Sequence, residues 1–308
     1  MPSSSASSGA AVPPDYTAAL EGLAHRARAG VIAVDGPDRF DFLQGQVTQE
    51  VRGLAPGQSR PVAGLTPKGK LLYFGRLVGE AERVLLLLPG DAVPAVLAHL
   101  TKYAAFQKAG VRDATTEYVR VALYGPAAAG IAVPEGGVRL PPEGELAAEI
   151  LAPGAARAAI LARLAEAGSL PVSKEAAEIL RVEAGRPRLF RDADESNLPD
   201  ELGLQEAISA TKGCYVGQEV VARTRTYGRV NRRLVGFRFP KGAVASGTVF
   251  PDPGKPALQL ARVTSSVVSP RFGPIGLGFA FREVAEGATL SRAEGAGRTA
   301  IVCGLPFA

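Results

Sequence analysis

The chain changes texture at Gly228, and that change limits its possible folds more than any other feature. Ahead of it, helix-like and strand-like stretches alternate. Beyond it, apolar runs at 234–239, 257–265 and 275–281 are short, extended and spaced by Gly and Pro, the pattern of a small antiparallel β domain or barrel. One layered core does not accommodate both textures, and 308 residues exceed one ordinary domain, so two or three modules are expected.

Upstream, residues 16–28 carry an Ala/Leu/Arg pattern that predicts a helix, followed by a strand at 31–34. Asp35-Gly36-Pro37-Asp38 supplies a turn and a cap for a helix from 38 to about 44, with Pro37 early, where a helix tolerates it. Extended runs at 60–63, 71–78 and 83–88 precede a helix over 91–106, in which Val93, Val96, Leu97, Leu100 and Ala104 recur at helical spacing. Strands at 111–115, 118–124 and 146–151, an alanine-rich helix at 155–167 and a helix at 174–184 complete the alternation, punctuated by Gly125-Pro126 and a Pro/Gly-rich connection over 133–144. The expected organisation is a disordered tail at 1–14, a region of two αβ lobes at 15–228 (about 15–116 with a return segment 173–228, and 117–172), and a β-barrel domain at 229–308. The tail lacks the basic start and apolar centre of a signal peptide.

Composition removes several function classes. No apolar run approaches the roughly 18–20 residues of a membrane span, so a soluble cytoplasmic protein without membrane contact is expected. Cys214 and Cys303 are the only cysteines and lie far apart, giving neither metal-ligand spacing nor a disulfide framework; no metal site is assigned to this chain alone. With only His25 and His99, both in helix-like segments, a histidine-based triad is not expected.

The chemistry concentrates in Lys212-Gly213-Cys214-Tyr215-Val216-Gly217-Gln218-Glu219, which continues as Val220-Val221-Ala222-Arg223. A lysine two positions before a cysteine can favour the thiolate, and the N-terminus of a helix starting near Val216 would add to that. Gly213 and Gly217 permit backbone angles closed to other residues and a close approach by a ligand. A free cysteine filling a turn is the alternative. From Cys214 to Pro240 six arginines stand against Glu219, a local excess of +5 that equals the net charge of the whole chain. Such an excess suits a polyanionic ligand or describes a solvated arginine-rich strand. Because aromatic residues are not regularly interleaved, direct nucleic-acid binding is not expected.

Three other glycine-containing stretches invite a ligand reading. Gln44-Gly45-Gln46 sets polar amides around a glycine at a helix end, suited to a heteroaromatic ligand or to a simple helix C-cap. Gly64, Gly69 and Lys70 match the spacing of a phosphate-binding loop, but Leu71 stands where Ser or Thr must reach magnesium and a strand follows instead of a helix; a hairpin is expected. Gly273-Pro274-Ile275-Gly276-Leu277-Gly278 has the wrong spacing and context for a dinucleotide fingerprint.

Taken in order, Leu43-Gln44-Gly45-Gln46-Val47-Thr48, Pro67-Lys68-Gly69-Lys70, Lys102-Tyr103-Ala104-Ala105-Phe106, Arg181-Val182-Glu183-Ala184-Gly185 and the cysteine octapeptide resemble the YgfZ family of folate-binding proteins, which is similar in fold to the aminomethyltransferase (T-protein) of the glycine cleavage system. The resemblance implies an α+β, multi-lobed, aminomethyltransferase-like folate-binding fold with a small C-terminal β-barrel. It implies a central hole that takes tetrahydrofolate or a one-carbon derivative. Glu183, Gln44, Gln46, Thr48, Tyr215, Gln218 and Arg223 would bind the cofactor, Glu183 accepting from the pterin ring and Arg223 or a neighbour meeting the glutamate tail. Cys214 would be the functional thiol and Lys212 its tuning residue. The implied role is support of iron-sulfur cluster assembly or repair, including the clusters of tRNA-modifying enzymes, with iron-sulfur enzymes or assembly proteins as partners.

Two departures qualify the match. Aminomethyltransferases carry an acidic pair just after the second-strand turn, whereas Lys68-Gly69-Lys70-Leu71-Leu72-Tyr73 holds no carboxylate, which disfavours glycine cleavage. The chain also lacks Trp, so aromatic packing on a pterin would fall to Phe or Tyr. A folate-dependent aminomethyltransferase and an RNA-binding module in tRNA modification are the alternative functions.

Overall fold

The computed structural model describes residues 12–226, 228, 230–292 and 298–308. Pro14–Glu21 forms α1, and the chain then runs β1 (Ala24–Arg28), β2 (Val31–Asp35), α2 (Arg39–Gln46), β3 (Ser59–Leu65), β4 (Leu71–Gly79), β5 (Arg83–Leu87), α3 (Val93–Ala104) and β6 (Gly110–Asp113). Next come β7 (Tyr118–Tyr124), β8 (Val138–Leu140), β9 (Ala148–Pro153), α4 (Arg157–Glu166), β10 (Leu170–Pro171), α5 (Lys174–Glu183) and α6 (Gln218–Thr226). The last strands are β11 (Arg232–Arg238), β12 (Val249–Asp252), β13 (Lys255–Ser269), β14 (Gly273–Phe281), β15 (Thr289–Arg292) and β16 (Arg298–Cys303).

These strands make three sheets. One has the order β3-β4-β5-β2-β6, and a second β10-β1-β7-β9-β8. The third, β12-β13-β14-β11-β16-β15, curls until β12 and β15 lie alongside, a nearly closed barrel. Its interior is filled by Val235, Phe237, Phe239, Phe250, Val263 and Val302. The largest core joins the first sheet to α2, α3 and the segment after α5, with Leu43, Leu71, Tyr73, Leu100, Leu202 and Val221 among its members. The fold is thus α+β with a small C-terminal barrel, as expected.

Three sequence expectations change. The helix predicted over 16–28 stops at Glu21, where Gly22 leaves helical backbone angles (φ −127°, ψ −122°), and Ala24–Arg28 is a strand. Local propensity loses here to tertiary pairing, because β1 is held on one edge by β7 and on the other by β10. His25 accordingly lies in a strand, its Nδ1 2.8 Å from Ser169 Oγ. Second, β1 belongs to the sheet of β7–β10 although its residues were placed with the 15–116 lobe. Third, Pro14, placed in the tail, opens α1 in the first turn, the position a helix allows to proline. The rest of the expected tail, residues 1–11, lies outside the described residues, as does Arg229.

Two buried polar junctions fix the units on one another. Arg120 on β7 donates from Nε to Glu149 Oε1 on β9 (2.6 Å) and from Nη1 to the carbonyls of Gly30 (2.6 Å) and Leu88 (2.7 Å), so it ties the second sheet to the first. Arg28 closes the same carboxylate at 2.7 Å. Arg181 on α5 bonds Glu178, Asp192 and Ser265 Oγ of β13, while Asp192 also accepts from Thr264 and Ser265 hydroxyls. That network fastens α5 and the loop after it to the barrel.

Candidate functional site

The site is organised by the C-terminal end of α2. A helix end leaves carbonyl oxygens without intrahelical partners and carries partial negative charge. Lys212 answers both: its buried Nζ donates to the carbonyls of Gln44 (2.8 Å), Val47 (2.6 Å) and Gln49 (2.9 Å), which accounts for all three ammonium protons. The Tyr215 ring lies below, 5.1 Å from Nζ. Burial pushes the ammonium down to about 8, against nearby Glu50, which raises it. The expected tuning of Cys214 by Lys212 therefore has no hydrogen bond behind it. The lysine spends its donors on the end of α2 and the residues just after it.

After the cysteine, Val216 N–H donates to Gly45 O at 3.0 Å. The short loop is thus clamped to the same helix end on both sides of Cys214, and Cys214 is exposed between the clamps. Gly217 and Gly69 serve close packing, whereas a Cβ at Gly213 would meet open space. At Gly217 (φ +83°) a Cβ would stand 2.6 Å from Thr66 O, and at Gly69 (φ +69°) it would meet Val220 at 2.7 Å, so the β3–β4 turn and the start of α6 fit only without side chains. That turn is the hairpin expected in place of a phosphate loop, with Lys70 Nζ on Ser196 O.

The sequence-predicted cofactor residues divide by what their polar atoms already do. Gln44 is buried and its Oε1 accepts from Val51 N–H (2.9 Å). Thr48 is fully buried; its hydroxyl donates towards Ala207 O (2.6 Å) and accepts from Ala63 N–H (3.0 Å), splicing β3 to the chain before the cysteine loop. Thr48 thus keeps no free donor for a ligand, which corrects the expectation for it, whereas the Gln44 amide nitrogen stays uncommitted among the described residues. Gln218 is the half-buried first residue of α6, and the Tyr215 phenol is raised by burial. Gln46 is different, for its Oε1 is buried without a partner. Arg223 stands on the exposed side of α6, paired with Glu219 at 2.9 Å.

Glu183, the last residue of α5, is buried in a separate cluster. Its Oε1 accepts from Tyr16 OH (2.6 Å) and Ser269 Oγ (2.5 Å), whereas Oε2 has only Arg271, at 3.7 Å. Burial and the adjacent carboxylate drive the Tyr16 phenol far up, so Tyr16 stays a donor. No hydrogen bond or ion pair among the described residues joins this cluster to the Lys212 loop. Tyr16, Ser269 and Tyr73, whose hydroxyl is also buried without a partner, were not found from sequence. Their partners or neighbours come from other segments, so no local pattern marks them.

Four of the six arginines behind the local charge excess are committed to the fold. Arg225 pairs with Asp200 (3.0 Å) and Arg232 with Glu201 (3.0 Å), Arg233 donates to Val284 O, and Arg238 reaches Ala308 O between the Phe272 and Phe307 rings. This arrangement favours structural arginines over a phosphate-tracking surface.

No family model matches the chain. It is 31% identical over 233 residues to a tRNA-modifying protein YgfZ of Serratia proteamaculans, covering 70% of each chain. A tRNA-modifying protein YgfZ of Vibrio vulnificus is 31% identical over 251 residues, 76% of this chain and 72% of that one. A chloroplastic protein of Arabidopsis thaliana is 28% identical over 281 residues, and this chain spans 64% of its length. Among solved structures, glycine cleavage system aminomethyltransferase T of Bartonella henselae superposes with a TM-score of 0.83 over 96% of this chain and 88% of that one, at 24% identity, which establishes the fold. With the ordered motifs from Leu43 to Glu219 and identity of this extent over most of both chains, the protein belongs to the YgfZ family.

Proposed function

We propose that the protein binds a reduced folate in the cytoplasm and supports tRNA modification by assisting the assembly or repair of iron-sulfur clusters in the enzymes concerned. The observation that carries the reading is the presentation of Cys214: an exposed thiol in a loop clamped on both sides to the end of α2. A thiol so displayed serves a partner from outside. Among the described residues no three His, Cys, Asp or Glu side chains gather as a metal site, so a cluster that meets Cys214 takes its other ligands from that partner. The relatives named as tRNA-modifying proteins support the biological setting.

The folate part rests on two acceptors with spare capacity. Glu183 Oε2 and Gln46 Oε1 are acceptors of the kind that suits the N–H and amine donors of a pterin, Glu183 by its charge and Gln46 because no described residue meets its oxygen. Bound tetrahydrofolate supplies a reducing, one-carbon-carrying pteridine. The chain's own part is to orient that ring, with Tyr16 and Ser269 holding the Glu183 carboxylate fixed. An aminomethyltransferase activity is disfavoured because Lys68-Gly69-Lys70 and the start of β4 hold no carboxylate where aminomethyltransferases carry an acidic pair. Calorimetric titration of folinic acid tests the reading. The wild type is expected to bind and Glu183→Ala to bind about 10-fold or more weakly, the worth of a charged hydrogen bond. Absence of binding by the wild type removes folate from the proposal.

A further inference from the structure

The hydroxyl of Tyr73 and Oε1 of Gln46 are both shut off from solvent without a hydrogen-bond partner. Native interiors hold few such groups, and each costs about 1–3 kcal/mol of desolvation while it stays unmet. Tyr73 and the residue after Gln46 pair with opposite edges of the same glycine. Gly64 on β3 pairs with Tyr73 on β4, and across its other edge it bridges to Val47, the residue after Gln46.

Gly64 explains the direction of the tyrosine. A Cβ there would lie 2.2 Å from the Tyr73 ring and 2.7 Å from its hydroxyl oxygen, so the ring occupies the space that a side chain at 64 would need. The phenol therefore leans from β4 across β3, towards the segment that carries Gln46. Its ring is fixed from behind by His99, edge-on at 6.5 Å between centroids. Tyr73 is fully buried, and burial drives the phenol far up, so it is a donor at any pH the protein meets. A locked donor and an unmet acceptor thus flank Gly64, and neither satisfies the other.

We infer that Tyr73 and Gln46 form a polar subsite that grips the donor-acceptor edge of the folate heterocycle, Tyr73 O–H donating to a ring carbonyl or nitrogen and Gln46 Oε1 accepting from a ring N–H or exocyclic amine. The inference rests on the folate reading and adds to it a specificity element, since Gly64 cannot acquire a side chain without displacing the phenol. The competing account is a trapped water that satisfies the hydroxyl for the sake of the fold alone.

Titration of folinic acid into the wild type, Tyr73→Phe and Gln46→Leu, with thermal melts of each ligand-free protein, separates the two. The subsite predicts that Tyr73→Phe melts at or above the wild-type temperature, because an unmet hydroxyl has been deleted, and binds folinic acid about 10-fold more weakly, with Gln46→Leu weakened similarly. Unchanged affinity in both variants, with a lower melting temperature for Tyr73→Phe, overturns the subsite and identifies a water-bridged structural hydroxyl. Should Tyr73→Phe fail to fold, the affinity of Gln46→Leu decides. Failure of the wild type to bind overturns the folate reading and this subsite together, whereas binding by the wild type with unaffected variants overturns the subsite alone.

Discussion

The junction around Arg120 and the end of α2 are both buried and polar, yet they are finished to different degrees. At the junction the carboxylate of Glu149 is held by two guanidiniums, and Arg120 also meets backbone carbonyls from the neighbouring sheet. At α2, Lys212 is equally well supplied, but Gln46 and, across Gly64, Tyr73 are left with unmet groups. Completed networks hold the sheets together; incomplete ones mark where something outside the chain is expected to complete them.

The sharpest way to break this comparison is Glu149→Gln. It leaves two arginines uncompensated in the interior and is expected to cost about 3–5 kcal/mol in urea unfolding; a loss below about 1 kcal/mol would make the junction no more structural than the α2 end. The same residue governs acid stability. Burial raises the Glu149 carboxyl, but Arg120 and Arg28 outweigh it and hold it at about 2, below the ordinary 4.5. Its folded value being depressed, the stability it contributes is complete above about pH 4.5 and is lost as the pH falls towards 2, so pH titration of the melting temperature should be flatter in Glu149→Gln than in the wild type over that window.

Lys212→Met comes next. Three carbonyls lose their buried donor, with an expected cost of about 1–3 kcal/mol, and the Val216 amide should exchange faster with deuterium as the loop loosens. Unchanged exchange at Val216 would show that the clamp after Cys214 stands without the one before it. The smallest structural effect belongs to Cys214→Ala, which should alter stability by no more than about 0.5 kcal/mol because the side chain is exposed. In cells lacking the gene, that same variant should nevertheless fail to restore the activity of iron-sulfur tRNA-modifying enzymes, and full restoration would remove the thiol from the proposed function.

Much of the architecture was legible where order along the chain carries the information. Val93, Val96, Leu100 and Ala104 recur at helical spacing and are the buried face of α3; the Gly/Pro-spaced runs after Gly228 are the barrel strands. Ala24–Arg28 was illegible because its strand character comes from neighbours 92 to 100 and 146 residues away, which no local propensity reports. The octapeptide located the candidate thiol, but the work of Lys212 depends on carbonyls more than 160 residues earlier. For the same reason Thr48 reads as a ligand-binding group in a string of residues and as a completed internal bond in three dimensions. Tyr73 had no sequence mark at all, since its orphaned hydroxyl exists only through the pairing with Gly64.

The placement of β1 bears on how the chain is made. β1 sits inside the second sheet, between β10 and β7, while the entire first sheet is encoded between β1 and β7. During vectorial synthesis the β2–β6 sheet has all its strands as soon as Asp113 emerges, but Ala24–Arg28 must wait for Tyr118–Tyr124 before it has any partner. The first sheet is therefore a nested insert whose strands can pair within an unfinished neighbour, while its core is completed only by the segment after α5. The order in which sheets close on the ribosome is then the reverse of the order in which their first strands leave it.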